Sequence, residues 1–253
     1  MTTRRRSWVE QIMGLPVSVL ARGPAALTSL AHRAVQDLYA QLRQVDRTFS
    51  TYQADSVVSR LARGEIALED CDDEVRWVAA RCVELTGLTN GLFDATTPEG
   101  TWDPSGLVKG WAAERAARHL RGVEGLDWCL NAGGDVTVLC PSGTPFVVGI
   151  QDPHDPQRVV ATLALASGAV ATSGTAARGA HLYDPRTGTT AAPAWASVTV
   201  TGPSLERADV LATAAYVAGP AWTTVLRPGY AGLAVDAYGA LLATPDWPGT
   251  LTA

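Results

Sequence analysis

Apolar positions recur at helical spacing over residues 26–46, where Leu30, Ala34, Leu38, Leu42 and Val45 fall on one face and predict an amphipathic helix. A short helix is predicted from Ser56 to Leu61. Another follows over residues 73–86, with Val75, Val78, Ala79, Cys82 and Val83 on one side, and a further one over residues 109–120, ending near Gly122. Residues 205–218 carry the clearest helix boundaries. Gly202-Pro203-Ser204 supplies a turn and an N-cap, and Gly219-Pro220 a stop. Alternating and β-branched runs predict strands at 11–21, 128–130, 136–139, 146–151, 159–165, 169–173, 231–235 and 240–243, and in the run that begins at Ala196. Asn131-Ala-Gly-Gly-Asp135 has the chemistry of a hairpin turn between two of them. Phe49-Ser-Thr-Tyr52, residues 91–98 and the stretch from Gly174 through Gly188 read as loops. Helices and antiparallel hairpins alternate without a regular βαβ repeat, which predicts an α+β fold with largely antiparallel sheets, organised as one domain over residues 1–253.

Composition narrows the function. The 253 residues carry 20 Lys and Arg against 25 Asp and Glu, a net charge of −5. Without a long basic run, nucleic acid is not an expected partner. The longest uncharged stretches are rich in Ala, Ser, Thr and Gly, and one is broken by Gly219-Pro220, so no membrane insertion is expected. Glu10, Gln11 and Pro16 interrupt the apolar stretch behind Arg4-Arg5-Arg6, against the pattern of a secretory signal, and the expected location is cytoplasmic. Cys71, Cys82, Cys129 and Cys140 show no CxxC spacing and are expected to be reduced and partly buried.

Chemistry concentrates in a few segments. Asp209 and Thr213 stand four residues apart on the predicted 205–218 helix and so share a face. A carboxylate and a hydroxyl placed this way are hard oxygen ligands suited to Mg²⁺. Taken alone, the same two residues better suit a solvated acid in an early turn and a hydroxyl bonded back to a carbonyl. Trp102-Asp-Pro-Ser-Gly-Leu-Val-Lys-Gly110 leads a Gly-containing loop into a helix start, where backbone N–H groups and Lys109 could hold a phosphate, although P-loop spacing is absent. Asp135 beside its glycine turn suits a structural role. Of the four histidines, His32 and His119 fall in helices as surface residues and His154 in a turn. His181, in His181-Leu-Tyr-Asp-Pro185, is the candidate base. Phe49, Tyr52 and Phe93 place aromatic rings near loops, where they could stack on a flat ligand or pack in the core.

Read in order, these segments resemble the ApbE family of FAD:protein FMN transferases. The matching text is Met13-Gly14; Phe49-Ser-Thr-Tyr52 with Ser56-Val-Val-Ser-Arg-Leu61; Gly91-Leu-Phe-Asp94; Asp103-Pro-Ser-Gly-Leu-Val-Lys-Gly110; Asn131-Ala-Gly-Gly-Asp135; Val148-Gly-Ile-Gln-Asp-Pro153; Ala171-Thr-Ser-Gly174; His181-Leu-Tyr-Asp-Pro185; and Asp209-Val-Leu-Ala-Thr213. The resemblance implies Mg²⁺-dependent transfer of FMN from FAD to a Thr or Ser hydroxyl in the flavinylation motif of an acceptor flavoprotein, with release of AMP. It implies Asp209 and Thr213 as side-chain metal ligands, Gly106 as a carbonyl ligand, and Ala212 beside them. Met13, Tyr52, Leu92, Phe93, Asp94, Asp103, Lys109 and Tyr183 fall where the family contacts FAD. His181 and Asp209 would be catalytic. An FAD pyrophosphatase yielding FMN and AMP, or a non-catalytic FAD-binding protein, are the alternatives. The chain departs from the family between Asp94 and Asp103, where only eight residues stand in place of a longer insertion, and at Pro104, where the family has an apolar residue.

Overall fold

The computed structural model describes residues 4–174, 183–190 and 194–252. The chain opens with strands β1 (Arg5–Ile12) and β2 (Leu15–Arg22), then helices α1 (Ser29–Phe49), α2 (Val57–Ala62), α3 (Asp73–Leu88), α4 (Ser105–Ala116) and α5 (Arg118–Arg121). Strands β3 (Asp127–Ala132), β4 (Asp135–Leu139), β5 (Phe146–Gln151), β6 (Val159–Leu165), β7 (Ser167–Gly174), β8 (Tyr183–Asp184), β9 (Thr189–Thr190) and β10 (Trp195–Gly202) follow. Helix α6 (Leu205–Ala218) and strands β11 (Ala231–Asp236), β12 (Leu241–Ala243) and β13 (Thr250–Leu251) complete it.

Eight strands form one antiparallel sheet in the order β1-β2-β3-β4-β7-β10-β11-β12, and β13-β6-β5 form a second. The expected α+β class with largely antiparallel sheets is the fold observed. Alternation along each strand separates two cores. Trp128, Leu130, Ala132, Ala169, Ala171, Val198 and Val200 point to the face covered by α1, α4 and α6. Val170, Leu233 and Val235 point the other way, onto Ile150, Val160, Ala161 and Leu163 of the small sheet. No helix among the described residues is long and apolar enough to cross a membrane.

The predicted strand at 11–21 is a hairpin instead. Met13 and Gly14 both take positive φ, 55° and 69°, and turn the chain between Ile12 and Leu15. Helix α1 begins later than its apolar pattern predicts, because the Thr28 hydroxyl accepts the Ala31 N–H at 3.2 Å and caps it there, and it runs on to include Phe49. Leu30 and Val83, expected inside, are exposed, while Leu85 takes an inward place on α3. Helix α4 starts four residues before the predicted Lys109, at Ser105, where the Asp103 carboxylate accepts the Ser105 N–H at 2.9 Å. His32 is half-buried and accepts from the Trp8 indole at 3.2 Å, whereas His119 is exposed. All four cysteines are free. Cys71, Cys82 and Cys140 are buried and Cys129 is half-buried, and burial pushes the Cys82 thiol up to about 12, consistent with a packing role.

Candidate functional site

Two helices meet at the site because small residues and one carboxylate let them. A Cβ on Gly110 of α4 would lie 2.9 Å from the Leu205 carbonyl and 3.0 Å from Asp209 Cβ, so only glycine allows α4 and α6 this close. One turn further along α4, Glu114 Oε2 accepts the Ser204 hydroxyl at 2.8 Å and the Glu206 N–H at 3.0 Å. A carboxylate there satisfies orphan donors and faces the positive end of the α6 dipole. The two contacts fix the register of the helices and bring Lys109 against Asp209.

Asp209 is 3% exposed, which removes the reading of a solvated acid in an early turn. Its Oδ2 accepts the Gly110 N–H at 3.2 Å, and its Oδ1 lies 3.4 Å from Lys109 Nζ. The same ammonium lies 2.6 Å from Oδ2 of Asp135, which is 2% exposed at the start of β4. Asp135 Oδ1 accepts the Thr172 N–H from β7 at 3.1 Å, so sheet and helices converge on Lys109. Burial, reinforced by Asp135, raises the Asp209 carboxyl against the pull of Lys109, to about 7. Lys109 is the only lysine in the chain; the other 19 of its 20 basic residues are arginines. A compact ammonium, rather than a planar fork, fits between two converging carboxylates.

Two buried carboxylates converge on one ammonium, and their remaining lone pairs suit a cation. Thr213 lies one turn beyond Asp209 on α6, and its hydroxyl is 3.0 Å from the buried Ser173 hydroxyl on β7. Gly106 is one turn before Gly110 on α4. A carbonyl oxygen has two lone pairs, so the Gly106 carbonyl keeps one acceptor position beyond its helical hydrogen bond. Carboxylate, hydroxyl and carbonyl oxygens are the donors a hard divalent cation takes, and the residues therefore fit Mg²⁺. Among the described residues no three His, Cys, Asp or Glu side chains gather around a metal position. A cation here would depend on the single Asp209 carboxylate with neutral oxygens. Ala212 is fully buried in α6 beside Thr213.

A second group of expected residues gathers around the start of α4. Phe93 packs on Gly106, where a Cβ would come within 3.0 Å of its ring. Its N–H donates to the buried Thr89 hydroxyl at 3.1 Å, and Leu92 beside it is buried. The short Asp94–Asp103 loop is closed on itself. Thr96 bridges Trp102, Thr97 bonds Thr101 through backbone and hydroxyls, and the Asp103 N–H donates to the Ala95 carbonyl at 2.7 Å. Tyr183 donates its hydroxyl to the Thr96 carbonyl at 3.0 Å. Burial, and then the carboxylates of Asp94, Asp103 and Glu99, push its phenol above the usual range. Tyr52 stands on the loop after α1, almost fully exposed. Met13 is half-buried in the β1–β2 turn against the helix-side core. His181 lies outside the described residues.

Asp135, Ser173, Gly110 and Glu114 were not among the expected site residues. The single lysine of the chain was the available signal for the cluster, since wherever Lys109 is buried an acid must answer it. A separate cavity among Thr137, Ser167, Thr201 and Pro248 holds none of this chemistry.

Comparison with known proteins identifies the family. The ApbE family pattern matches residues 13–101 and 97–234. The FAD:protein FMN transferase of Haemophilus influenzae is 23% identical over 273 aligned positions, spanning 82% of this chain and 79% of that protein. The ApbE protein of Thermotoga maritima superposes with a TM-score of 0.84 at 23% identity, covering 96% of this chain and 97% of that one. The flavin transferase ApbE of Vibrio cholerae gives 0.80 at 21% identity, covering 97% and 99%. At such identities the solved structures speak for the fold, while the family pattern spans most of the chain: this protein belongs to the ApbE family.

Proposed function

We propose that this protein is an FAD:protein FMN transferase that moves the FMN half of FAD onto a Thr or Ser hydroxyl of an acceptor flavoprotein and releases AMP. The observation that carries the reading is the half-buried Lys109 held between the buried Asp135 and Asp209, with Thr213 one turn away, in a chain of the ApbE family. In the reaction the acceptor oxygen bonds to the FMN phosphorus, and the pyrophosphate P–O bond on the AMP side breaks. AMP departs with that oxygen and its negative charge, while the hydroxyl proton passes to a base. His181 is the candidate for that base.

Asp209 and Thr213 would hold Mg²⁺ through side-chain oxygens, with the Gly106 carbonyl, and the ion would supply charge neutralisation at the pyrophosphate. Lys109 adds a fixed positive charge on the same side, oriented by Asp135 rather than by solvent. Leu92, Phe93, Asp94, Asp103 and Tyr183 would line the FAD around the start of α4, with Met13 and Tyr52 as outer contacts.

The reading is tested by AMP release from FAD by the purified protein, with and without Mg²⁺ and with and without a Thr-bearing acceptor domain. Metal-dependent AMP together with a covalently fluorescent acceptor is the expected result. AMP with free FMN and an unlabelled acceptor would make the protein a pyrophosphatase. Bound FAD without AMP would make it a carrier.

A further inference from the structure

Among the described residues the large sheet has two unpaired edges of different kinds. On one side β12 is three residues long; on the other β1 is eight, in unbroken register with β2 from Arg5↔Arg22 to Ile12↔Leu15, without proline or bulge. A long, regular open edge is a template for a further strand. Its outward groups can be identified. The Ile12↔Leu15 pair brackets the two-residue turn and is hydrogen-bonded, and bonding alternates along an antiparallel pair. Glu10, Trp8 and Arg6 therefore bond β2. The Gly23 N–H donating to the Arg4 carbonyl at 2.9 Å continues the same phase. The backbone groups of Arg5, Ser7, Val9 and Gln11 point away from the sheet.

An antiparallel strand added here must pair these outward residues with outward residues of its own. The β1 sequence is self-complementary in one such register, in which the paired residue numbers add to 16. Arg5 then meets the second copy's Gln11 and Ser7 its Val9, which gives about eight inter-chain hydrogen bonds. Trp8 meets the second copy's Trp8 at the two-fold axis, in a non-hydrogen-bonded pair where side chains approach most closely. Arg6 faces the second copy's Glu10 on each side of that axis, an opposite-charge pair made twice. Shifting the register by two either way loses a set of backbone pairs and leaves Trp8 opposite Arg6 or Glu10. Arg6 and Trp8 are already in place for the contact, and Glu10, which pairs with Arg43 of its own chain, would share its carboxylate with the second copy's Arg6. The Arg6 guanidinium lies 4.9 Å from the Trp8 ring centre, and the Trp8 indole is held by His32. On the opposite face Val9 is 65% exposed and Leu20 of β2 is 39% exposed, apolar surface that the small sheet leaves uncovered.

We propose that β1 pairs antiparallel with β1 of a second copy of this chain, about a two-fold axis at Trp8, joining the two eight-stranded sheets edge to edge. The axis lies five residues from Met13, about 17 Å along the strand, so the candidate site of each copy stays open.

Light scattering on the full chain across ~1–100 µM tests this, because dimer population follows protein concentration. The wild type is expected to be a dimer at the upper end. Val9→Pro deletes an outward N–H and leaves the bonds to β2 intact, and should raise the dissociation constant ~10-fold or more. Arg6→Glu sets like charges opposite each other twice and should do the same, and Arg6→Glu with Glu10→Arg should restore the dimer. Arg6 is exposed, so this pair of variants tests the pairing even if Val9→Pro folds poorly. A wild type that stays monomeric at ~100 µM, a dimer indifferent to Arg6→Glu, or a charge swap that fails to restore it would each overturn the proposal.

Discussion

Lys109 places one ammonium between two buried carboxylates, 2.6 Å from Asp135 and 3.4 Å from Asp209. Removing it would leave two acids in a low-dielectric site without a counter-charge, an arrangement that costs ~3–5 kcal/mol when a buried pair is broken. Lys109→Met should therefore shift the urea midpoint strongly. Lys109→Arg keeps the charge but brings a wider, planar group into a site closed by Gly110 and the α6 backbone. It should recover part of the stability and little of the FAD cleavage, as measured by urea unfolding and AMP release on the same preparations. Full recovery of AMP release by Lys109→Arg would mean that any positive charge suffices there and that the ammonium geometry is irrelevant.

Between elements, the decisive contact is the close approach of α4 and α6. Gly110→Ala adds a methyl within 2.9 Å of the Leu205 carbonyl, which is backbone and cannot step aside, so the helices must part. Overpacking of this kind costs ~1–3 kcal/mol. Because it moves Lys109 relative to Asp209, AMP release should fall by more than the loss of folded protein explains. Equal loss of both would place the effect in folding only. A separate joint shows its chemistry through pH. Asp127 at the start of β3 accepts the Ser142 hydroxyl at 2.6 Å, the Ser142 N–H at 3.0 Å and Arg22 Nε at 3.1 Å. Burial opposes its ionisation, yet the Ser142 bonds and then Arg22 hold the carboxyl below its ordinary 3.8. A lowered folded value gives stability that is present above the unfolded value and lost as pH falls through the folded one. Asp127→Asn should cost ~2 kcal/mol at neutral pH, and the gap should close as pH falls below the ordinary 3.8 and through the lowered folded value, read as urea midpoints across the acid range. Elements with chemical punctuation were legible in the sequence. Helix α6 was bounded correctly because Ser204 caps it and Gly219-Pro220 ends it. The β1–β2 turn was not, because Met13-Gly14 carries a non-glycine at positive φ inside an otherwise apolar run. Helix α4 was read four residues late, since its start follows from a turn in which Asp103 accepts the Ser105 N–H rather than from periodicity.

At the scale of the whole molecule, the eight-stranded sheet divides the protein into a helix-side core that holds the candidate site and an outer core shared with the small sheet. Asp209, Lys109 and Thr213 reach their places from α4 and α6. The sheet residues that answer them, Asp135 and Ser173, sit at the ends of β4 and β7 that face those helices. This division was beyond the sequence. Alternation shows that Val170 and Ala171 point to opposite faces, but strand order decides what each face meets, and β4 pairs with β7 only after β5 and β6 leave for another sheet. The division separates stability from chemistry. Leu163 is fully buried in the outer core, and Leu163→Ala should cost ~2–5 kcal/mol through lost transfer energy and the cavity left behind. Leu211 is as fully buried, on α6 between Asp209 and Thr213, and Leu211→Ala should cost a similar amount. Assayed well below either melting temperature, Leu163→Ala should keep AMP release within about twofold of wild type. Leu211→Ala should lower it tenfold or more, because a displacement of ~1 Å at a positioned site costs ~10²-fold. Equal effects of the two substitutions on AMP release would show that the cores are mechanically continuous through the sheet and that the small sheet helps to set the geometry of the site.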